Sequence, residues 1–445
     1  PFTDPVICDW PPANSAGTFD PSAIVEENED GSVRVYVYWG MKKGDRWAEV
    51  DPTDMHTIID PLTRQADREA WCTTLDSVAI PHATLFEASS IKKVAPGKYV
   101  FIYSSNELRS GLTYCYGDSP TGPWTYGGVI VQNNIDWKEG NNHGSIVRVK
   151  DQWYVVYHKP TFDSKNRQAM IEPIDVLIDG DAVRIPQVAM TSQGIHATGI
   201  GAFRRYNANI ACSITGSEAY LDGTRRDPAG WNPIVGIDGP LTTVGFKYFD
   251  FGRQAISYAD SLQLSLNVSV NHPTTLEVFV ASPAKGTDSE EKIALGKTLL
   301  KKTGSSGFTD VVLPLNGLED HPTLRARGGL KGKWAVYLSI SGKEEDLLEL
   351  AAIEFVLGNA PTPNPLFPIR KEKGGENLTT IPTRAEAGTS VKIILPAAAA
   401  TRGKLRLVNE KGQAIPYRYN AVVPHGPLSV NFRMPESAVR ISWQN

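Results

Sequence analysis

The chain has 445 residues, which is more than one ordinary core holds and predicts two or three domains at ~150 residues each. Hydrophobic residues make up 41% and charged residues 21%, and the net charge is −4, as in folded chains without a polybasic arm or an acidic tail. This composition argues against nucleic acid as a partner. No run approaches the ~20 apolar residues of a membrane span, and no charged and then apolar leader opens the chain, so neither a span nor an export signal is predicted.

The residues up to about 200 contain short β-branched and aromatic runs separated by turn residues, whereas long helical periodicity is absent. Four of these runs predict strands, at 33–39, 98–103, 112–116 and 152–158. The 39 glycines and 31 prolines of the chain fit many short strands joined by tight turns. Because strand pairs recur every ~50 to 60 residues, we expect the blades of a propeller rather than a sandwich.

Longer strands follow and predict a β-sandwich from about 205 to 357, with strands at 261–270, 276–281, 310–315 and 334–340. A run with four prolines in residues 358–368 reads as a semi-rigid linker. Short runs at 390–395, 404–408, 428–432 and 439–443 predict a small β domain at the end. The expected domains are therefore residues 1–202, 203–358, a linker at 359–375, and 376–445.

The four cysteines (Cys8, Cys72, Cys115 and Cys212) are scattered, with no CxxC pair and no histidine at zinc-ligand spacing. A structural zinc site is therefore not indicated. Such cysteines fit buried thiols as well as one disulfide, so they leave the redox compartment open.

Two carboxylates stand out by their surroundings, Asp20 and Glu87, since each lies at the start of a predicted strand among apolar and small residues. Partial desolvation there raises the pKa of a carboxyl group and suits a general acid. The structural alternative is that Asp20 caps a turn before Pro21 and that Glu87 lies on a strand edge.

The motifs around these acids resemble glycoside hydrolase family 43. Their order and spacing match over ~200 residues, and it is the combination that carries the resemblance. The matching segments are Phe19-Asp20-Pro21-Ser22, Tyr38-Trp39-Gly40, Phe86-Glu87-Ala88-Ser89-Ser90-Ile91, 99–105, Gly117-Asp118-Ser119-Pro120-Thr121-Gly122-Pro123-Trp124, Asn141-Asn142-His143-Gly144-Ser145-Ile146 and 152–158.

The resemblance implies an all-β, five-bladed propeller with the active site at its axis, and glycoside hydrolysis with inversion. Glu87 matches the general acid that protonates the leaving oxygen. Asp20 matches the aspartate that adjusts the pKa of that acid and helps to hold the sugar. A negative Asp20 would destabilise the Glu87 anion and keep the proton available near neutral pH.

The family also has a general-base aspartate on its first blade, ~6.5–9.5 Å from the acid. No residue of this chain matches it, because Asp4 and Asp9 come after the place where the base is expected. We therefore expect an N-terminally incomplete propeller of about four blades, whose activity as a chain by itself is open. The alternative is a non-catalytic carbohydrate-binding propeller that has lost the base, and a third possibility is a surface protein whose modules serve as spacers.

Further site residues follow from the same resemblance. His143 matches an axial histidine near a central calcium ion or water cluster, the alternative being a hydrogen-bonded loop histidine. Any calcium would be held largely by water, since no carboxylate-rich loop is present. Arg167 matches an arginine that contacts sugar hydroxyls, and an ion pair with Glu172 is the alternative.

Aromatic and histidine side chains complete the predicted substrate site. Trp39 and Phe86 could stack on a sugar ring, although core packing is the simpler interpretation of Trp39. His82, five residues before Glu87, could reach the substrate.

The second segment resembles a family 6 carbohydrate-binding module, a jelly-roll sandwich. Asn207 and Asn209 replace the glutamates usual at its opening, and residues 350–355 replace the usual sugar-gripping asparagine motif. A spacer role is therefore an alternative to sugar binding. The end of the chain resembles a short bacterial surface repeat.

Together these features predict an extracellular or periplasmic glycosidase. It would remove terminal arabinofuranosyl or xylosyl units from plant cell-wall polysaccharides, as an α-L-arabinofuranosidase or β-xylosidase.

Overall fold

The computed structural model describes residues 8, 10, 20–41, 45–73, 85–105, 111–132, 142–161, 166–224, 226–227, 229–257, 260–283, 291–303, 307–318, 321–358, 366–371, 384–386, 390–395, 404–421, 428–433, 435 and 437–444. These residues form an all-β protein, as predicted. Their helices are α1 (Pro322–Ala326) and two 3-10 turns, Ala208–Ile210 and Asn316–Leu318. The chain divides into two compact units, Pro1–Gly358 and Asn359–Asn445.

Three antiparallel sheets and a hairpin make up the first part of the first unit. The strands are β1 (Ser22–Glu27), β2 (Val33–Trp39), β3 (Arg46–Val50), β4 (Ile58–Ile59), β5 (Trp71–Thr73), β6 (Leu85–Ala95), β7 (Lys98–Ser105), β8 (Gly111–Gly117), β9 (Thr125–Gln132), β10 (Gly144–Val149), β11 (Gln152–Pro160), β12 (Arg167–Ile174), β13 (Leu177–Asp179) and β14 (Ala182–Arg184). The sheet orders are β1-β2-β3-β4 with β5 beside β3, then β6-β7-β8-β9, then β10-β11-β12, and the hairpin β13-β14. All four strands predicted in this part are present.

Aromatic side chains pack the first sheet against the second. Tyr38 of β2 lies with its ring centroid 5.5 Å from that of Phe101 of β7, and Phe101 lies 5.6 Å from Trp124. All three side chains are buried in one cluster, which such ring contacts stabilise beyond the area they bury. This packing brings the start of β1 next to the start of β6, where the two predicted catalytic carboxylates lie.

The rest of the first unit is a β-sandwich. Its strands are β15 (Ile200–Gly201), β16 (Tyr206–Asn207), β17 (Ser213–Thr215), β18 (Tyr220–Leu221), β19 (Ile234–Ile237), β20 (Leu241–Asp250), β21 (Leu262–Val270), β22 (Thr274–Ala281), β23 (Lys292–Leu300), β24 (Thr309–Pro314), β25 (Lys333–Ser341) and β26 (Leu348–Leu357). One sheet has the order β15-β20-β25-β22-β23 with β17 beside β20, and the other β18-β19-β26-β21-β24 with β16 beside β26. Phe249 of the first sheet meets Phe355 of the second edge to face at 5.4 Å, inside one core to which both sheets contribute.

The described residues of the second unit form two small sheets. Its strands are β27 (Leu366–Lys371), β28 (Arg384–Glu386), β29 (Ser390–Leu395), β30 (Lys404–Asn409), β31 (Tyr417–Ala421), β32 (Leu428–Arg433) and β33 (Val439–Gln444). They form the sheets β28-β27-β33-β30 and β29-β32-β31. Strand β27 lies within the 359–375 range that the sequence predicts as a linker, and it pairs in parallel with β33. The proline content therefore did not prevent pairing of this segment.

The helices found in the described ranges are too short to cross a bilayer. All four cysteines have free thiols, with Cys115 and Cys212 buried and Cys8 and Cys72 exposed.

Candidate active site

Asp20 lies immediately before β1, in a left-handed backbone conformation with φ of 45°. Aspartate tolerates this conformation better than most residues, and Pro21 then directs the chain into the extended strand. The Ala88 N–H donates to Asp20 Oδ2 at 3.1 Å, and the Ser89 hydroxyl donates to the Asp20 carbonyl at 2.9 Å. The side chain and the backbone of Asp20 are thus both fixed to strand β6.

Glu87 lies in an irregular part of β6. The pairing with β7 shifts on both sides of Glu87, and Ala88 has a φ of 67°. A bulge of this kind turns side chains away from the regular alternation of a strand and is frequent beside active sites. The Glu87 side chain is only 6% exposed.

His143 connects the two carboxylates. Its Nε2 lies 2.7 Å from Glu87 Oε1, and its Nδ1 lies 3.7 Å from Asp20 Oδ2. The ligand atoms of these three residues all lie within 4.8 Å of one another. The three side chains on which the family resemblance rests therefore converge on one partly open site, with Asp20 and His143 24% and 29% exposed.

Gly144 allows His143 to occupy this position. A Cβ atom on Gly144 would lie 2.6 Å from the Val156 carbonyl oxygen and 2.9 Å from Leu112 and Tyr157 atoms. Because β10 passes this close to β11, a side chain at this point would push the His143 backbone away. On the other side, the Ser104 hydroxyl donates to the carbonyl of Asn142.

The pKa of Asp20 is raised above its ordinary value. Burial is the largest cause, and the negative charge of Glu87 adds to it, whereas His143, the Ala88 N–H and Arg167 act in the opposite direction. The distance between the Asp20 and Glu87 oxygens is below the ~6.5–9.5 Å that an inverting acid–base pair needs for an intervening water. This spacing suits Asp20 as a modulator of Glu87 rather than as its general base.

Comparison with known proteins agrees with this geometry. A xylosidase/arabinosidase of Thermoclostridium stercorarium is 34% identical over 277 residues, covering 54% of this chain and 54% of its own. The chain is a relative of xylosidase/arabinosidase enzymes. The resemblance to glycoside hydrolase family 43 is thereby confirmed, and the chain spans about half the length of this relative. No family model matches.

Two solved structures are similar to parts of this chain. One is a family 43 arabinoxylan arabinofuranohydrolase from Bacillus subtilis in complex with cellotetraose, 20% identical, with a TM-score of 0.39 over 78% of this chain and 69% of that one. The other is a family 6 carbohydrate-binding module from Clostridium stercorarium in complex with cellobiose, 19% identical, with a TM-score of 0.26 over 36% of this chain and 97% of that one.

Arg167 lies at the start of β12 and does not pair with Glu172. The two residues are five positions apart and so face opposite sides of the strand. Instead the Arg167 Nη1 donates to His158 Nε2 at 3.1 Å, and the His158 ring centroid lies 5.4 Å from that of His143. Because a guanidinium only donates, His158 accepts through Nε2. This series of contacts links Arg167 to the site.

The other predicted substrate residues have different environments. Trp39 is 1% exposed and packs in the core of the first sheet, with the Trp10 ring centroid 5.1 Å from its own. The packing interpretation therefore fits Trp39, and a sugar-stacking role does not, because the ring has no open face of its own. Phe86 is half-buried next to Glu87. His82 lies outside the described residues.

The contacts of His143 do not fit a calcium ion held directly by its ring. Asp20, Glu87 and His143 form the one group within the described ranges whose spacing would suit a metal ion. Both ring nitrogens face carboxylates, however, and Nε2 already bonds Glu87. Calcium takes six to eight oxygen ligands, as a rule, and this group offers two carboxylates and one imidazole.

Lys159 and Glu172 are two buried ionisable residues whose burial was not predicted from the sequence. Lys159, next to His158 on β11, is fully buried, and its ammonium donates to the carbonyls of Asn209, at 3.4 Å, and of Ala211. Glu172 is also buried and accepts from the Thr191 N–H at 2.7 Å and the Thr191 hydroxyl at 2.6 Å. Burial lowers the pKa of Lys159 to about 7 and raises that of Glu172 to about 7.

Lys159 joins the two parts of the first unit. The carbonyls that it binds lie at the 3-10 turn Ala208–Ile210, where the sandwich begins. Asn207, which stands where the family 6 pattern has a glutamate, caps this turn by accepting from the Asn209 N–H at 3.0 Å. A lysine in a strand gives no sequence signal for such a contact, because its partners are backbone groups about 50 residues later.

Proposed function

We propose that the protein is a glycoside hydrolase that removes terminal arabinofuranosyl or xylosyl units from plant cell-wall oligosaccharides or polysaccharides. The observation that carries the proposal is the group formed by Glu87, His143 and Asp20, in which a nearly buried carboxyl group is held by an imidazole beside a second carboxylate. Relatives with xylosidase and arabinosidase names support the substrate class.

In this proposal Glu87 is the general acid that protonates the glycosidic oxygen as the bond breaks. His143 fixes the orientation of the carboxyl group through Oε1, so that the proton is delivered in one direction. Asp20 places a negative charge close to Glu87, which favours the protonated form of the acid. Arg167 holds hydroxyl groups of the sugar from the side of β12.

We further infer that the three antiparallel sheets of the first part are blades of a propeller whose axis passes through this group. Asp20 precedes the first strand of one sheet, Glu87 lies in the first strand of the next, and His143 precedes the first strand of the third. Equivalent positions in successive sheets converge in this way when the innermost strands surround one axis. Inversion would follow from a base placed ~6.5–9.5 Å from Glu87.

The proposal also covers the compartment in which the protein acts and the way in which it would hold calcium. We place the protein outside the cytoplasm, in the extracellular or periplasmic space where plant polysaccharides are met. Any calcium at the axis would be held through water rather than directly by His143, because the ring nitrogens face the two carboxylates.

The experiment is hydrolysis of 4-nitrophenyl α-L-arabinofuranoside and 4-nitrophenyl β-xyloside by the full chain, followed by calorimetry with xylo-oligosaccharides. Release of 4-nitrophenol from these glycosides by the wild type, together with loss of xylo-oligosaccharide hydrolysis in Glu87→Gln, would support the hydrolase. Binding of oligosaccharides without any hydrolysis would instead identify a sugar-binding propeller and contradict the proposal.

A further inference from the structure

A polar pocket lies where the first three sheets meet the sandwich. Its volume is about 270 Å³. Thr161, Arg167 and Gln168 line it on one side, and Asn209, Leu221 and Asn232 line it on the other. The size is near the ~300 Å³ lower limit of small-molecule pockets and suits a single sugar ring rather than a chain.

The chemistry of the lining suits a neutral polyhydroxylated ligand. It combines a guanidinium, side-chain amides, a hydroxyl group and the apolar Leu221, and the described lining residues include no carboxylate. The side-chain amides of Gln168 and Asn209 make no hydrogen bond to any other group in the described part of the chain, although both are half-buried. Each amide offers donors and an acceptor, which is the complement of sugar hydroxyl groups.

The pocket is already formed without a ligand. The Leu221 N–H donates to the Thr161 carbonyl at 3.2 Å, which joins the two walls through the backbone. The buried Lys159 joins them again by donating to the carbonyls of Asn209 and Ala211. A preformed site binds with less loss of conformational entropy than one that must be ordered by its ligand.

Arg167 connects the pocket with the candidate active site. It lines the pocket, donates to His158 beside His143, and is close enough for its charge to lower the pKa of Asp20. Arg167 thus borders the pocket on one side and is linked through His158 and His143 to Glu87 on the other.

We propose that this junction pocket binds a second neutral sugar unit of the same oligosaccharide whose terminal unit enters the site of Glu87, His143 and Asp20. The proposal rests on the proposed function for the identity of the ligand. It gives the sandwich a part in substrate binding through Asn209, at its contact with the first three sheets rather than through a cleft of its own.

The test is calorimetric titration of xylotetraose into the full chain carrying Glu87→Gln, which should slow hydrolysis ~10²–10⁴-fold. Adding Asn209→Ala or Gln168→Ala should raise the Kd for xylotetraose about fivefold, since each removes a hydrogen-bonding amide from the ligand. Neither side chain has a bonding partner within the described ranges, so folding is not at stake. Asn271→Ala is the matched control, because Asn271 bonds Asp346 away from the pocket and should leave the Kd unchanged.

Equal Kd values for the Glu87→Gln parent and for the parent with Asn209→Ala or Gln168→Ala added would overturn the proposal that this pocket binds a sugar unit. Failure of the proposed function has a different signature, namely absence of any hydrolysis by the wild type. In that case weaker xylotetraose binding by the two variants would still support a sugar site at the junction.

Discussion

The Nε2 atom of His143 lies 2.7 Å from Oε1 of Glu87. This contact places an imidazole in the role of orienting a carboxyl group. The tight approach of β10 to β11 at Gly144 fixes the ring, and the irregular pairing of β6 aims the carboxyl group.

Glu87→Gln should slow hydrolysis most for substrates whose leaving group must be protonated. The amide cannot donate a proton to a sugar leaving group, so hydrolysis of xylo-oligosaccharides should fall ~10²–10⁴-fold. 4-Nitrophenolate is a good leaving group that needs little protonation, so the loss on 4-nitrophenyl glycosides should be much smaller. Steady-state kcat values on both substrates measure this difference, and Glu277→Gln, which alters a carboxylate paired with Lys297, is the control. Equal losses on both substrates would remove Glu87 from the role of acid.

Gly144→Ala should reduce both stability and activity. The new Cβ would meet the Val156 carbonyl at 2.6 Å, and backbone shifts of this kind cost ~1–3 kcal/mol. The His143 ring should move with the backbone, so kcat should fall as well. Gly201→Ala is the control, because a Cβ there meets nothing within 4 Å. Thermal unfolding and kcat for both variants decide the matter, and a Gly144→Ala protein that behaves like Gly201→Ala would contradict the packing argument.

Asp20→Asn should lose activity but gain thermal stability at neutral pH. Burial, followed by the charge of Glu87, raises the pKa of Asp20, so the folded state disfavours its anion. The folded wild type therefore binds this proton more readily than the unfolded chain, and its stability declines as pH rises through the raised pKa. The neutral amide avoids that decline.

The midpoint temperature of unfolding of Asp20→Asn should thus exceed that of the wild type at pH 7, and the two temperatures should approach each other as pH falls. Asp151→Asn, at a fully exposed carboxylate, should show no such pH-dependent difference. A stability gap between Asp20→Asn and wild type that stays constant with pH would argue against burial of the charge.

The sequence alone predicts the strands of this molecule better than it predicts the contacts between side chains. Runs such as 33–39 and 390–395 are predicted to the residue, because alternating β-branched and aromatic residues bounded by turns leave little choice. The convergence of Asp20, Glu87 and His143 follows from motif order, once the family resemblance is recognised. Arg167 was predicted as a sugar-contacting residue, but its contact with His158 was missed, since His158 looks like an ordinary polar position of a strand.

The remaining discrepancies have physical reasons. Trp39 could be read as a sugar-stacking residue because aromatic side chains serve cores and sugar sites equally well, and only its burial decides. Strand β27 was hidden by prolines, and Pro368 is tolerated because it pairs with β28 alone, the pairing with β33 beginning at Ile369. The partners of Lys159 are backbone carbonyls, which carry no residue-specific signal.

Glu172 should make the stability of the fold depend on pH. Its pKa is raised to about 7 by burial, against the opposing hydrogen bonds from Thr191 and Tyr157 and the charge of Lys333. The folded state then binds more protons than the unfolded chain between the ordinary value of 4.5 and about 7, so stability should fall as pH rises across this interval. Lys159, with its pKa lowered to about 7, should give a rise in stability from about pH 7 towards 10.5.

Glu172→Gln should flatten the decline between pH 4.5 and 7, as measured by denaturant unfolding at several pH values. Glu69→Gln, at a carboxylate that is 71% exposed, should keep the wild-type slope. If the slopes of Glu172→Gln and wild type coincide, Glu172 does not titrate within this range.

The contact of the Lys159 ammonium with the carbonyls of Asn209 and Ala211 bears on how parts of this chain can be recombined with other proteins. In a chain severed between residues 202 and 203, Lys159 would lose the carbonyls of Asn209 and Ala211 and the packing of the sandwich around them. The first three sheets and the sandwich should therefore be moved together when parts of this chain are joined to other proteins.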